Sequence, residues 1–170
     1  QVYMQSFFRT SLFCFAIVVR LFGDSTSRDL VIYGGNSAAI SAAVQATRMG
    51  KSVIVVSPDR RLGGLTSNGL GWTDSGKKEV VGGIAREFYH RVWRHYQSPE
   101  AWEWQEMSEY GNRGQGSPAV DGNRRTMWIF EPKVAEDIFE SWVRENNLEI
   151  ARDERLDRNE GVKLDNGRIL

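Results

Sequence analysis

The chain has 170 residues, 41% hydrophobic and 26% charged, which is enough for one domain with a real core. Its 22 Lys and Arg balance 22 Asp and Glu, so nothing global selects nucleic acid or an anionic membrane as partner. A single cysteine, Cys14, excludes a disulfide within the chain and a dithiol redox centre. In chain order, the first segment reads as an export signal. Met4 is taken as the start, Arg9 gives a positive region, Ser11 to Val19 is an apolar run, and small residues follow at Gly23, Ser25, Thr26 and Ser27. Arg20 interrupts the run well short of the ~20 apolar residues that a membrane span needs. Residues 1–28 are therefore expected to be a signal peptide or disordered N-terminus, and the protein to be exported to the periplasm or beyond the cell. The alternative is a buried strand or short helix of the fold.

Residues 29–170 read as one α/β domain. Asp29 to Tyr33 is a short apolar run ending at two glycines, the pattern of a buried parallel strand. Ser37 to Met49 is rich in alanine and predicts a helix, with Gly50 where a left-handed C-terminal cap belongs. Ser52 to Val56 predicts a second buried strand, which completes a βαβ unit of about thirty residues. Leu62 to Gly76 is a long loop rich in Gly, Ser and Thr, and long ordered loops are often functional. Ile84, Phe88, Val92 and Tyr96 give the segment from Gly82 one apolar helical face. An irregular, polar insertion runs from about 97 to 130, a partial substrate or cap region. Pro132 opens a third helix to about Asn146, with Val134, Ile138, Trp142 and Val143 on its buried face. Leu148 to Ala151 predicts a third strand, and Asp165-Asn166-Gly167 signals a hairpin. The chain ends inside the second strand of that hairpin. It therefore reads as part of a longer protein, and by itself is expected to be inactive.

The turn Gly34-Gly35-Asn36-Ser37-Ala38-Ala39 carries the chemical signal. A dinucleotide fingerprint, G-x-G-x-x-G/A, needs a glycine for the tight turn, a second for close approach of the pyrophosphate, and a small third residue for helix–strand packing. Gly34 and Ala39 fill the first and third places, and Asn36 takes the second. Its side chain is expected to narrow the approach, while amides near Ser37 and Ala38 still face the phosphates. Ser57, 23 residues after Gly34, holds the place of the ribose-binding acid; Asp59 is a possible substitute.

The run DLVIYGGNSAAISAAVQATRMGKSVIVVSPDRRLGGLTSNGL resembles the FAD-dependent oxidoreductases with a glutathione-reductase-like flavin domain, in particular their exported bacterial members. The segments GGIAREFYHRVWRHY and RRTMWIFEPKVAEDIFESWV are similar to that subgroup as well, so the resemblance covers about residues 29–170. It implies a Rossmann-like FAD-binding domain, a three-layer fold with a parallel sheet. Gly34, Gly35, Asn36, Ser37, Ala38 and Ala39 would lie along the pyrophosphate, and Ser57 and Asp59 would face the adenosine ribose. Gly63, Gly64, Leu65 and Thr66 would run toward the flavin ring, and the third strand, ending near Leu156, would lie beside the adenine. Thr or Asn at the second glycine position is usual in the subgroup; Ser57 departs from the family's usual Glu.

The expected activity is hydride transfer between FAD and a small-molecule substrate, with the flavin supplying the redox chemistry. An NAD(P)-binding dehydrogenase and a non-catalytic exported scaffold with a decayed nucleotide site are the alternatives. Leu62-Gly63-Gly64 weighs against the first; Asn36 and Ser57 keep the second open. No catalytic residue is assigned. His90 and His95 are expected to pack or face solvent, and their spacing of five does not suit a metal pair. Asp74 could orient substrate or form a turn, and Trp102, Trp104 and Trp128 could line a pocket or the core.

Overall fold

The computed structural model describes residues 27–74, 76–110 and 119–169. The export signal read over residues 1–28 lies outside them except for Ser27 and Arg28. Strand β1 (Leu30–Tyr33), helix α1 (Ser37–Arg48) and strand β2 (Val53–Ser57) form the expected βαβ unit. A one-turn 3-10 helix at Gly64–Ser67 and another at Lys78–Val80 lead to helix α2 (Gly83–His95). The insertion contributes a two-residue antiparallel pair, β3 (Val120–Asp121) and β4 (Thr126–Met127). Helix α3 (Pro132–Glu145), strand β5 (Glu149–Arg152) and the hairpin β6 (Leu164–Asp165) and β7 (Arg168–Ile169) follow.

The main sheet is parallel in the order β1-β2-β5, with Leu30 opposite Val53 and Ile54 opposite Glu149. Strand alternation decides which residues meet the helices. Val53, Val55 and Ser57 are buried on the helical side, while Ile54 and Val56 are only half-buried on the other. On that second face Val31, Tyr33 and Val56 line a cleft of about 520 Å³ with Leu156, Val162 and Ile169, so the hairpin region begins a third layer there. Strand β5 ends at Arg152 rather than near Leu156, because Asp153 adopts a left-handed conformation (φ 59°) that turns the chain.

Helix periodicity places the core as expected. Phe88 and Val92 of α2 face Val134, Ile138 and Trp142 of α3, and Ile40, Ala43 and Val44 of α1 complete the cluster. Phe139 joins them, stacked on Phe88 at 5.2 Å. Gly50 supplies the cap of α1 with φ 78° and donates to the Thr47 carbonyl. Asn166 and Gly167, at φ 48° and 79°, form the hairpin turn with both central residues left-handed.

Candidate functional site

Two glycine turns meet at the C-terminal ends of β1 and β2. Gly34 has φ 122°, open only to glycine at low cost, and its amide donates to the Val56 carbonyl at 2.8 Å. The chain then passes over the end of β2. The Gly63 amide donates to the Gly35 carbonyl at 2.7 Å, and Asn36 and Gly63 form a parallel bridge. Gly63 and Gly64 are both left-handed, at φ 105° and 58°. A Cβ on Gly63 would lie 2.6 Å from the Phe139 ring, and one on Gly64 would lie 2.9 Å from the Asn36 Cβ. The second glycine pair is therefore fixed both by backbone sign and by lack of room.

Gly35 is fixed from inside. It is buried, and an added Cβ would overlap Ser57 Oγ and lie 3.1 Å from Ser57 Cβ and 3.3 Å from Leu62 Cδ2. Ser57 itself is fully buried. Its hydroxyl donates to the Asp59 carbonyl (2.7 Å) and accepts from the Asp59 amide (3.2 Å). Its carbonyl accepts from the Glu154 amide at 3.0 Å, joining the ends of β2 and β5. The sequence-based expectation that Ser57 faces a ribose is thus corrected in this arrangement. The short side chain turns inward beneath Gly35 and builds a turn, whereas Asp59 is exposed.

Asn36 also differs from expectation. Its backbone is ordinary extended chain (φ −78°, ψ 174°), so no unusual conformation calls for it. It is the N-cap of α1, with Oδ1 accepting from the Ala39 amide at 2.9 Å. The amides of Ser37 and Ala38 are beyond the reach of any intrahelical carbonyl and remain at the helix's positive end. No acidic residue stands in that first turn. Ala39 is buried, which agrees with its reading as the small residue that lets helix and sheet pack. Ser37, Ala38 and Thr66 share a cleft of about 220 Å³ floored by Phe88, Phe139 and Trp142, while Leu65 projects into solvent.

No motif of the sequence singles out Ser67. It is buried, and its hydroxyl donates to the Leu62 carbonyl (2.5 Å) and reaches the Gly64 carbonyl (3.2 Å), so it ties the second glycine turn closed. Asn68 Nδ2 adds a bond to the Gly64 carbonyl at 2.7 Å. Only the Ser- and Thr-rich composition of the loop hinted at this. Arg152, at the end of β5, pairs with Glu140 and donates to the Arg60 carbonyl at 2.7 Å, which anchors the loop after β2. Lys78 is nearly buried over the Trp128 ring, 5.4 Å from its centre, and burial lowers its pKa.

The other candidates resolve by packing. His90 Nδ1 lies 2.8 Å from the Arg125 carbonyl and its ring stacks on Trp93; His95 meets Tyr96 edge-on. Among the described residues no group of His, Cys, Asp and Glu could hold a metal ion. Asp74 is exposed. Trp128 is core, stacked on Tyr89 at 4.0 Å, whereas Trp102 and Trp104 line a separate cleft of about 220 Å³ with Tyr96 and Tyr110.

A family model described as FAD dependent oxidoreductase matches residues 29–170, the whole domain that carries both glycine turns. The chain belongs to the FAD dependent oxidoreductase family. Similar solved structures include AlpK (19% identity, TM-score 0.42), of which the chain covers 25% with 77% of its own length. CabE, described as an aromatic hydroxylase from angucycline biosynthesis, has 18% identity and TM-score 0.44; 75% of this chain covers 24% of it. A 3-ketosteroid-Δ4-(5α)-dehydrogenase from Rhodococcus jostii RHA1, solved with 4-androstene-3,17-dione, has 14% identity and TM-score 0.39; 91% of this chain covers 45% of it. The chain thus spans less than half the length of each. No curated protein matches it.

The residues fit the diphosphate of FAD, the family's cofactor. Left-handed Gly34, Gly63 and Gly64 bring bare backbone to the seam beside Asn36, the Ser37 and Ala38 amides stand at a helix N-terminus, and the first turn of α1 holds no acidic residue.

Proposed function

We propose that this domain holds the ADP half of FAD at the seam between its two glycine turns, within an oxidoreductase that acts on a small-molecule substrate. The observation that carries the reading is the Gly63–Gly35 hydrogen bond with the Asn36–Gly63 bridge, which sets the two turns side by side along one line of approach. The Ser37 and Ala38 amides bind the pyrophosphate, Gly63 and Gly64 let the backbone lie against it, and Thr66 borders its path toward the ring. The exposed Asp59 carboxylate takes the ribose hydroxyls in place of the internal Ser57. When bound, FAD supplies hydride chemistry; the residues described here bind and orient it.

The test is an absorbance spectrum of the protein that carries this chain, between ~300 and ~550 nm, before and after FAD is added. Two oxidised-flavin bands that bleach anaerobically with a substrate support the reading. Absence of bound flavin after reconstitution, or tight binding of NAD in its place, overturns it. We also propose export, on the charge and apolar run at Arg9 and Ser11–Val19. Recovery of the protein from the cytoplasm with that segment uncleaved would count against it.

A further inference from the structure

We propose that the cleft at Trp102 and Trp104 binds a small organic cation, an alkylated ammonium group such as that of choline. The inference does not depend on the FAD reading, because the cleft shares no lining residue with either glycine turn. Its walls are aromatic and pinned. Tyr96 and Trp102 stand 5.3 Å apart and inclined by 56°, and Trp102 and Tyr110 stand 5.2 Å apart and inclined by 59°. Rings at such angles form a corner rather than a flat stack. Trp102 Nε1 donates to the Tyr96 carbonyl at 3.0 Å, which fixes the indole. Trp104 borders the same cleft and is 84% exposed, so its ring is open to a ligand.

Charge selects the ligand. Glu103 and Glu131 line the cleft, and among the described residues that line it there is no Lys, Arg or His. The segment from Gln97 to Tyr110 carries four Glu and no Lys or Arg. The Tyr96 hydroxyl donates to Glu131 Oε2 at 2.9 Å and accepts from the Glu131 amide at 3.0 Å. That carboxylate is therefore held at the edge of the aromatic corner. An aromatic face and a carboxylate both attract a cation, and a carboxylate repels an anion. Elsewhere the chain covers its rings with its own cations, Lys78 over Trp128 at 5.4 Å and Arg91 over Trp142 at 5.5 Å. This cleft has the rings and carboxylates without a cation among its described lining. Buried Met127 and Phe130 in its wall favour an alkylated head group over a hydrated metal ion. At about 220 Å³ the cleft is smaller than the ~300–1,000 Å³ of drug-sized sites, so it suits a compact head group.

Choline is the probe, and the neutral alcohol in which a tert-butyl group replaces the trimethylammonium is the control. Binding to the protein that carries this chain is read by nuclear magnetic resonance, from the upfield shift and broadening of the ligand methyl signal. We expect choline to bind with a dissociation constant of about 0.1–5 mM, more weakly as salt rises, and the alcohol to bind at least about 10-fold more weakly. Glu103→Gln/Glu131→Gln keeps an acceptor for Tyr96 and removes both charges; choline should bind it about 5- to 30-fold more weakly. Trp104→Ala removes an exposed ring and should cost about 3- to 5-fold. Thermal unfolding at the wild-type temperature shows that each variant is folded. Should the double variant unfold early, Glu103→Gln alone, at an exposed position, carries the same test. The proposal fails if choline does not bind at up to about 10 mM, if the alcohol binds as well as choline, or if either the charge variant or W104A binds choline as wild type does.

Discussion

At the scale of single residues, the site is defined as much by missing atoms as by present ones. Gly35 has no positive φ, so its need for glycine comes from Ser57 and Leu62 beneath it. Gly35→Ala should destabilise the protein by about 1–3 kcal/mol, the usual range for overpacking a buried site. Because the worst overlap is with Ser57, the double variant Gly35→Ala/Ser57→Gly should cost less than the sum of the singles, with a coupling of about 1–2 kcal/mol in urea unfolding. Strict additivity would mean that Gly35 is fixed by something other than that contact. This pair also shows what the sequence could and could not say. The fingerprint spacing located Ser57 correctly at the end of β2 and suggested an outward hydroxyl. Which way a short side chain turns depends on the backbone across from it, and here Gly35 leaves room only inward. The cap role of Asn36 is not legible from spacing alone, since it shows only once the Ala39 amide reaches its side chain and the Ile40 amide opens the helical ladder at its carbonyl.

At the scale of elements, α2 and α3 are legible because each repeats its apolar residues at helical spacing, α1 because it is rich in alanine and stops at Gly50, and the strands because each is a short apolar run between turn residues. What joins the helices is not legible. Glu87 of α2 accepts from both nitrogens of Arg48 of α1 at 2.8 and 3.0 Å, from Arg91 at 3.0 Å, and from Trp142 Nε1 of α3 at 3.0 Å; Arg91 in turn pairs with Glu145. Arg91 is the local i,i+4 partner, but Arg48 and Trp142 lie 39 and 55 residues from Glu87, and no local pattern links those. The hydrogen bond from Arg48 leads in holding the Glu87 carboxyl well below its ordinary range, at about 2, with partial burial opposing it. A depressed carboxylate pKa gives stability that is present above the unfolded value and is lost as pH falls toward the folded one. Wild-type stability should therefore decline between about pH 5 and 2. Glu87→Gln should start lower at neutral pH and decline less steeply across that window. Parallel pH profiles of the urea midpoint for the two proteins would exclude Glu87 as the hub. Because Glu87 is about 30% exposed, salt screens part of the effect and the contrast should shrink at high ionic strength.

At the scale of the whole molecule, the chain order does not disclose that β5 adds beside β2, because nothing local distinguishes one edge of a two-stranded parallel unit from the other. That placement matters for the site: it brings the Glu154 amide and the Arg152 side chain against the turns that follow β2. It also makes the molecule uneven. The helical side of the sheet holds Val55, Leu62 and Trp142 at 0% exposure, whereas the hairpin β6–β7 is exposed throughout and rests on few apolar contacts. Segments of the second kind open at low free energy, and buried ladders open only near global unfolding. Amide hydrogen exchange should therefore be slow in β2 and along the buried face of α1, and fast from Leu164 to Ile169. Added FAD stabilises only the forms that bind it, by about 2.7 kcal/mol at a hundred times its dissociation constant. If the cofactor sits between the glycine turns, the extra protection should appear at Gly34–Ala39 and Gly63–Thr66 and leave the hairpin unchanged. Protection concentrated in the hairpin or in the cleft at Trp102 and Trp104, with none at the turns, would move the binding site away from this seam. Protection at both glycine turns at once would show that they close on the same ligand, which the Gly63–Gly35 bond, by setting them side by side, leaves within reach of both.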